Sequence, residues 1–444
     1  IQTSDKFKSY CNSELRYSTC NAWASPRWSA WSNEKSSTVP NSIAFMGSGT
    51  TGTPIDSGET LNVVINAIAP SVTPIGIDSQ PANISGNVRQ SVVARSDVSP
   101  PSGYDQTRAW ASDGTYTVGS VSEYGTSYYR SHAAIWTSSS VAEIPWGSGA
   151  SSSSTDHYAQ GSIRDFVVEG SDIYGVGYNS YSSNNYMNAT VFKIADDFSL
   201  LESIVVSNTQ VKIDGNTVHS NSVVTSVNNN FVAIGSAKRA GNKPKSNAAA
   251  NRLFIIDDVR LTNISANFPS GGILFDGAGG KAGAINNYNE IVGQIDIENT
   301  REVDGKPRRK RGFIYPYNAA GSDSTRMTRF ANKAWYLDDL TNDGSLSGNN
   351  QYRVVDATDI NDAGVISATA LKCSGGYDTT AHNSTCGGGS QTETTVAVKL
   401  VPIVGATASD ISERGIDTTT SERSGGSLGL WSLILLTLGW FRRK

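Results

Sequence analysis

From about residue 61 onward, two kinds of apolar segment alternate along the chain. The first is a polar turn leading into a β-rich run that ends in small residues, as at 284–293 (AINNYNEIVG) and 359–367 (DINDAGVIS), with weaker copies at 227–235 and 168–177. Asn, Asp and Gly tolerate positive φ, so these polar centres predict tight turns between strands. The second is an aromatic strand behind each turn: ATVFKI at 189–194, RLFIID at 252–257, RGFIYP at 311–316 and VAVKLVPI at 396–403. Further aromatic strands are predicted at 108–110, 132–136 and 333–340.

The turn centres Asn228, Asn286 and Asn361 stand 58 and then 75 residues apart, room for one four-stranded sheet with its loops. Units of that size bury a face only by stacking on neighbours, around a ring or along a line, and four strands per unit favour the ring. The prediction is an all-β body over 61–403, a β-propeller-like ring of about five to seven four-stranded blades, with an array of β-sandwiches as the alternative. Residues 1–60 carry Trp23, Trp28 and Trp31 and read as the small core of a cap, placed to complete the last sheet and hide its edge. Residues 404–424 lose the aromatics and gather Thr, Ser, Asp and Glu. Such a segment buries too little apolar area to offset its ordering entropy, which predicts a flexible linker.

Residues 425–444 form a tail of another kind. Over 427–441 there is no charge, and Trp431, Trp440 and many Leu precede the basic end Arg442, Arg443 and Lys444. As a helix this run reaches only ~22 Å against a hydrocarbon core of ~30 Å, a weak span that suits a segment meant for removal. Lys and Arg stay cytoplasmic, so the body is expected on the far side of the membrane. The pair Gly425 and Gly426, the short apolar helix and the basic end together resemble the GlyGly-CTERM sorting tail of Gram-negative bacteria. That resemblance implies cutting near Gly425 and Gly426 by a rhombosortase-type intramembrane protease and export by the type II secretion machinery. A permanent tail anchor is the alternative. The alternation of turn and aromatic strand, in turn, resembles HAF-type extracellular repeats over roughly 80–403. With the tail and the N-terminal Cys and Trp residues, the whole chain resembles an uncharacterised family of Gram-negative exported proteins.

Composition agrees with strands joined by many turns: 17% of the residues are charged, and 43 of the 444 are Gly. A net charge of -4 argues against nucleic acid as a partner. The chain does not begin with Met, so Ile1 reads as a processed or truncated start. The cysteines fall as two local pairs, Cys11 with Cys20 and Cys373 with Cys386. In an exported protein that pattern favours two disulfides over a metal site.

No catalytic constellation stands out. The four histidines, His132, His157, His219 and His382, form no HExxH pair. GGSLG at 425–429 matches a nucleophile elbow in letters only, without the strand that must precede it. The turn at 339–344 has oxygen residues at alternate positions, but Asn350 stands where a calcium loop needs Glu, so it reads as an ordinary polar turn. The basic run 306–311 (KPRRKR) reads as a solvated hairpin loop. No cofactor, metal or catalytic residue is assigned.

The expected function is that of an exported, surface-associated or secreted repeat protein, a binding or scaffolding platform for surface glycans or other polymers and not an enzyme. The tail would hold it in the inner membrane only transiently. The competing class is an extracellular hydrolase or lyase acting on polysaccharide, which two carboxylates about 5 to 10 Å apart in a central cleft would support. A structural part of the envelope fits the tail less well.

Overall fold

The computed structural model describes residues 3–15, 20–36, 43–45, 54–56, 62–79, 92–125, 128–153, 157–213, 216–219, 221–238, 251–300 and 308–418. Two helices open the chain, α1 (Ser4–Tyr10) and α2 (Cys20–Ser36), tied by the Cys11–Cys20 disulfide. A short hairpin of β1 (Ile43–Phe45) and β2 (Pro54–Asp56) follows.

Six antiparallel sheets of three or four strands then succeed one another, each pairing its strands in sequence order. The first holds β3 (Asn62–Ile68), β4 (Pro74–Ser79) and β5 (Val92–Arg95). The second holds β6 (Gln106–Ser112), β7 (Thr117–Tyr124), β8 (Tyr129–Trp136) and β9 (Val141–Ile144). The third holds β10 (Ser162–Glu169), β11 (Asp172–Tyr181), β12 (Tyr186–Ala195) and β13 (Leu201–Val205). After a hairpin of β14 (Val211–Ile213) and β15 (Asn216–His219), the fourth holds β16 (Val223–Val227), β17 (Ala233–Lys238) and β18 (Asn251–Ile256). The fifth holds β19 (Gly280–Ile285), β20 (Glu290–Asp296), β21 (Lys310–Pro316) and β22 (Trp335–Tyr336), with α3 (Ser324–Arg329) before β22 and α4 (Leu337–Leu340) after it. The sixth holds β23 (Tyr352–Ile360), β24 (Ile366–Cys373) and β25 (Glu393–Leu400).

The predicted aromatic strands at 132–136, 189–194, 252–257, 311–316 and 396–403 fall on the third strand of their sheets, β8, β12, β18, β21 and β25. Their large side chains fill the interfaces between consecutive sheets. Ile135 and Phe192 meet between the second and third, Val191 and Phe254 between the third and fourth, and Ile255 and Phe313 between the fourth and fifth. Burying each such side chain contributes about 1.5–3 kcal/mol. The middle strands are covered on both faces, so β7 and β20 run buried at successive positions instead of alternating.

The Asn-led turns are equivalent. Asn228, Asn286 and Asn361 each donate their main-chain N–H to the carbonyl four residues on, at 3.0, 3.2 and 3.1 Å. In each turn the fourth residue, Phe231, Asn289 or Gly364, has positive φ. The Asn side-chain oxygen accepts the N–H of Val232, Glu290 or Val365, closing its own turn.

Several expectations need correction. Only the second, third and fifth sheets show four strands among the described residues. The predicted strand at 333–340 is a two-residue strand followed by α4, because Asp338 turns inward to the buried Arg311 and Asp339 to the Arg414 main-chain N–H. The N-terminal segment meets the last sheet as a helix and not as a strand: α2 reaches it through the Arg27–Glu393 ion pair at 3.7 Å, and Trp23 packs on Tyr10 and Phe7. The expected linker is docked through residue 418, since Arg414 is 5% exposed and Asn383 pairs with Asp417 in both directions. In the basic run, Arg308 and Arg311 are buried instead of solvated, on Asp296 and Asp338. Cys373 and Cys386 are bonded as expected. Gly425, Gly426, Trp431, Trp440 and Arg442 to Lys444 lie outside the described residues, among which no helix is long and apolar enough to cross a membrane.

Candidate functional site

The first strand of each of these six sheets slips register by one residue, and β23 does so a second time at Val355. The extra residue is Asn66 in β3, Trp110 in β6, Arg164 in β10, Thr225 in β16, Gly283 in β19 and Thr358 in β23. A bulge takes a residue out of the ladder and re-aims its side chain. All six line a single cavity of about 1460 Å³.

The bulge explains the glycine that ends three of the four turn-and-run segments. Across from it, on the second strand, stand Gly76, Gly119, Gly177, Gly235 and Gly293. A Cβ on any of them would lie 1.8–2.3 Å from a first-strand carbonyl oxygen, that of Val64, Arg108, Ser162, Val223 or Lys281. Only a residue without a side chain allows the bulged carbonyl that close. In the sixth sheet the corresponding position is Ala368.

The cavity wall combines aromatic rings with charge. The Arg164 guanidinium lies 3.5 Å from the Trp110 ring centroid and 5.3 Å from that of Tyr178. Asp165, the next residue, binds across to the fourth sheet: one oxygen accepts from Ser226 Oγ at 2.8 Å and Val227 N–H at 2.9 Å, the other from Phe166 N–H at 2.9 Å. Burial pushes its pKa up to about 6 against these hydrogen bonds, and the Asp359 carboxylate adds to the rise. Asp359 also lines the cavity, where burial raises it and the Ile360 N–H lowers it. Part of its surface stays open to solvent. Asn66 likewise joins sheets, donating to the Ala109 carbonyl at 2.8 Å.

Residues 116–444 match the model of a protein family of unknown function, DUF3466. The chain belongs to the DUF3466 family. No curated protein matches its sequence. Among solved structures it is similar to a sucrose-6-phosphate hydrolase from Lactobacillus gasseri, at 10% identity and a TM-score of 0.34, covering 83% of this chain and 84% of that one. It is also similar to prolyl oligopeptidase B from Galerina marginata, at 12% identity and a TM-score of 0.31, covering 81% and 46%.

This DUF3466 chain holds a second cluster of charge, buried between the fifth and sixth sheets. Asp338 accepts from Arg311 Nε and from Val354 N–H, both at 2.8 Å. Asp339 accepts from Arg414 N–H at 2.8 Å, and Arg353 and Arg414 share the Asn350 side-chain oxygen at 3.2 Å each. The His382 ring sits between the carboxylates, 3.7 Å from Asp338 and 3.4 Å from Asp339. Burial pushes Asp338 up, but His382, Arg311 and the Val354 N–H outweigh it and hold the carboxyl below its ordinary range. Asp339 and Asn350, which framed the calcium-like turn in the sequence, thus serve this network, which holds residues 414–417 against the sheets.

His132 stacks on Trp146 at 4.0 Å, 4.0 Å from Glu143, and His157 is exposed. Sequence patterning brought none of Trp110, Arg164, Asp165 and Asp359 together. The one available signal was the recurring terminal glycine, which marks the bulge opposite it.

Proposed function

We propose that the six sheets close into a β-propeller-like ring around the cavity, and that the ring is an exported binding platform for a surface polymer, foremost a glycan. The carrying observation is that each of six sheets contributes its bulged residue to one cavity. A repeated strand defect aimed at a common space suits a ligand site better than mere packing. The two disulfides support an oxidising, exported compartment. The HAF-type repeats and processing at Gly425 and Gly426 by a rhombosortase-type protease, followed by type II secretion to the cell surface or medium, complete the reading. It predicts mature protein that ends near those glycines.

A polysaccharide hydrolase or lyase is the second reading, favoured by Asp165 and Asp359 sharing the cavity. Against it, both oxygens of Asp165 are engaged, one in joining sheets and the other on the neighbouring Phe166 N–H. A glycan-array screen of the purified protein, run beside a depolymerisation assay, separates the two. Binding without turnover is expected; turnover would establish the hydrolase or lyase, and absence of glycan binding would remove the platform.

A further inference from the structure

Arg164 is held by aromatic side chains and not by a carboxylate. It lines the cavity, and its Nε is buried without a hydrogen-bond acceptor. It lies against the Trp110 and Tyr178 rings, and a hydrogen bond to the Tyr178 side chain favours its charged form. Beside it Arg108 bonds only the neutral Gln106, Nη2 to Oε1 at 2.6 Å. Among the described residues no carboxylate pairs with either arginine, although Asp165 and Asp359 line the same cavity. Elsewhere buried Arg308 pairs with Asp296 and Arg311 with Asp338, and Arg353, which has no such ion pair, is satisfied by main-chain carbonyls and Asn350, partners that Arg164 lacks.

Burying a guanidinium without an anion is costly, and two together cost more because they repel. Burial lowers the pKa of both; Tyr178 partly offsets this, and Arg108 lowers Arg164 further. A planar fork held flat on an indole is also pre-organised for two parallel hydrogen bonds to one oxyanion. Folding tolerates such a pair most readily where its counter-charge arrives from outside.

We propose that Arg164, backed by Arg108, is the subsite for the oxyanion of an acidic saccharide, a carboxylate or sulfate group seated in the cavity beside Trp110. Trp110 holds the guanidinium in plane, and Tyr178 fixes its far side. The proposal rests on the reading of the cavity as a glycan site and specifies the ligand's charge.

The test is titration calorimetry of the full protein with oligogalacturonate, a sulfated oligosaccharide of similar length and a neutral one, for the wild type, Arg164→Gln and Arg108→Gln. At least tenfold weaker binding of one or both acidic ligands by Arg164→Gln is expected, with a smaller loss for Arg108→Gln, and whichever acid binds wild type names the oxyanion. Since no acid loses a partner, both variants keep the wild-type melting temperature. Equal binding of neutral and acidic ligands, unchanged in Arg164→Gln, overturns the anion subsite but leaves the glycan platform standing. No binding of any saccharide removes both. Tighter binding of a single-stranded oligonucleotide than of either acidic saccharide, or a large fall in melting temperature in both variants, also overturns the proposal.

Discussion

The side-chain amide of Asn228 donates to the main-chain carbonyl of Asn286 at 2.9 Å, and that of Asn286 donates in turn to the carbonyl of Asn361 at 3.1 Å. Each Asn uses its oxygen to close its own turn and its nitrogen to grip the next sheet. Three consecutive sheets are therefore joined at their first hairpins by one residue type in one role. Asn287 adds bonds to Asp362, and Arg326 clamps Glu290 while donating to the Asp362 carbonyl.

Asn286→Ala should destabilise the protein by about 2–3 kcal/mol, because it strands the buried Glu290 N–H and the Asn361 carbonyl together. Asn230→Ala, which loses one bond to the Asn287 carbonyl at a part-buried site, should cost less than about 1 kcal/mol. Urea denaturation of the two variants measures the difference. Equal losses would mean that the turn-to-turn bonds do not hold the sheets together.

Gly293→Ala is expected to be more damaging than an ordinary strand substitution. The new Cβ would stand 2.2 Å from the Lys281 carbonyl oxygen, so the β19 bulge must shift or flatten. A loss of about 3 kcal/mol follows from overpacking of this kind. Gly170→Ala tests a different constraint, positive φ in open space, and should cost only about 1 kcal/mol. Thermal unfolding of the pair would show whether the close approach is real.

Arg414→Ala should cost about 3–5 kcal/mol by removing the buried guanidinium beside Asp338 and Asp339 and stranding the Asp338, Thr341 and Thr380 carbonyls that it bonds. Truncation before residue 405 should lower stability at least as much. A truncated protein as stable as the full one, by guanidinium denaturation, would restore the linker reading for 404–418.

The raised pKa of Asp165 gives a signed pH dependence. A carboxyl whose folded pKa lies near 6 favours the folded state fully below its unfolded pKa of 3.8, and that contribution is lost as the pH rises through about 6. Relative to Asp165→Asn, wild-type stability should fall by up to about 3 kcal/mol between pH 4 and pH 7. Asp338, whose pKa is depressed, acts in the opposite sense and only as the pH falls below 3.8. Chemical denaturation of both proteins across that range checks the slope; a flat or rising difference contradicts it.

How far the sequence could be read depended on whether partners were local. The turns at Asn228, Asn286 and Asn361 and the aromatic third strands were visible, because turn chemistry and strand pattern are written within ten residues. The cavity was not, since Trp110, Arg164 and Asp359 come from different sheets and meet only through stacking. The buried arginines were misread for the same reason. Arg311 looks solvated inside a basic run, and its counter-charge Asp338 lies 27 residues on, near the end of what patterned as a strand. Likewise Arg414 sits among Thr, Ser and Glu, and only its contacts with Asp338, Asp339 and Asn350 reveal a docked segment.

Ligand is expected to bind in the cavity framed by the six bulges. A crystal structure of the purified protein with the strongest glycan from the array tests it directly. Saccharide density is expected inside the cavity, touching Trp110 and within hydrogen-bond reach of Arg164. Density on the outer strands, such as β9 or β13, with the cavity holding water alone, would contradict it.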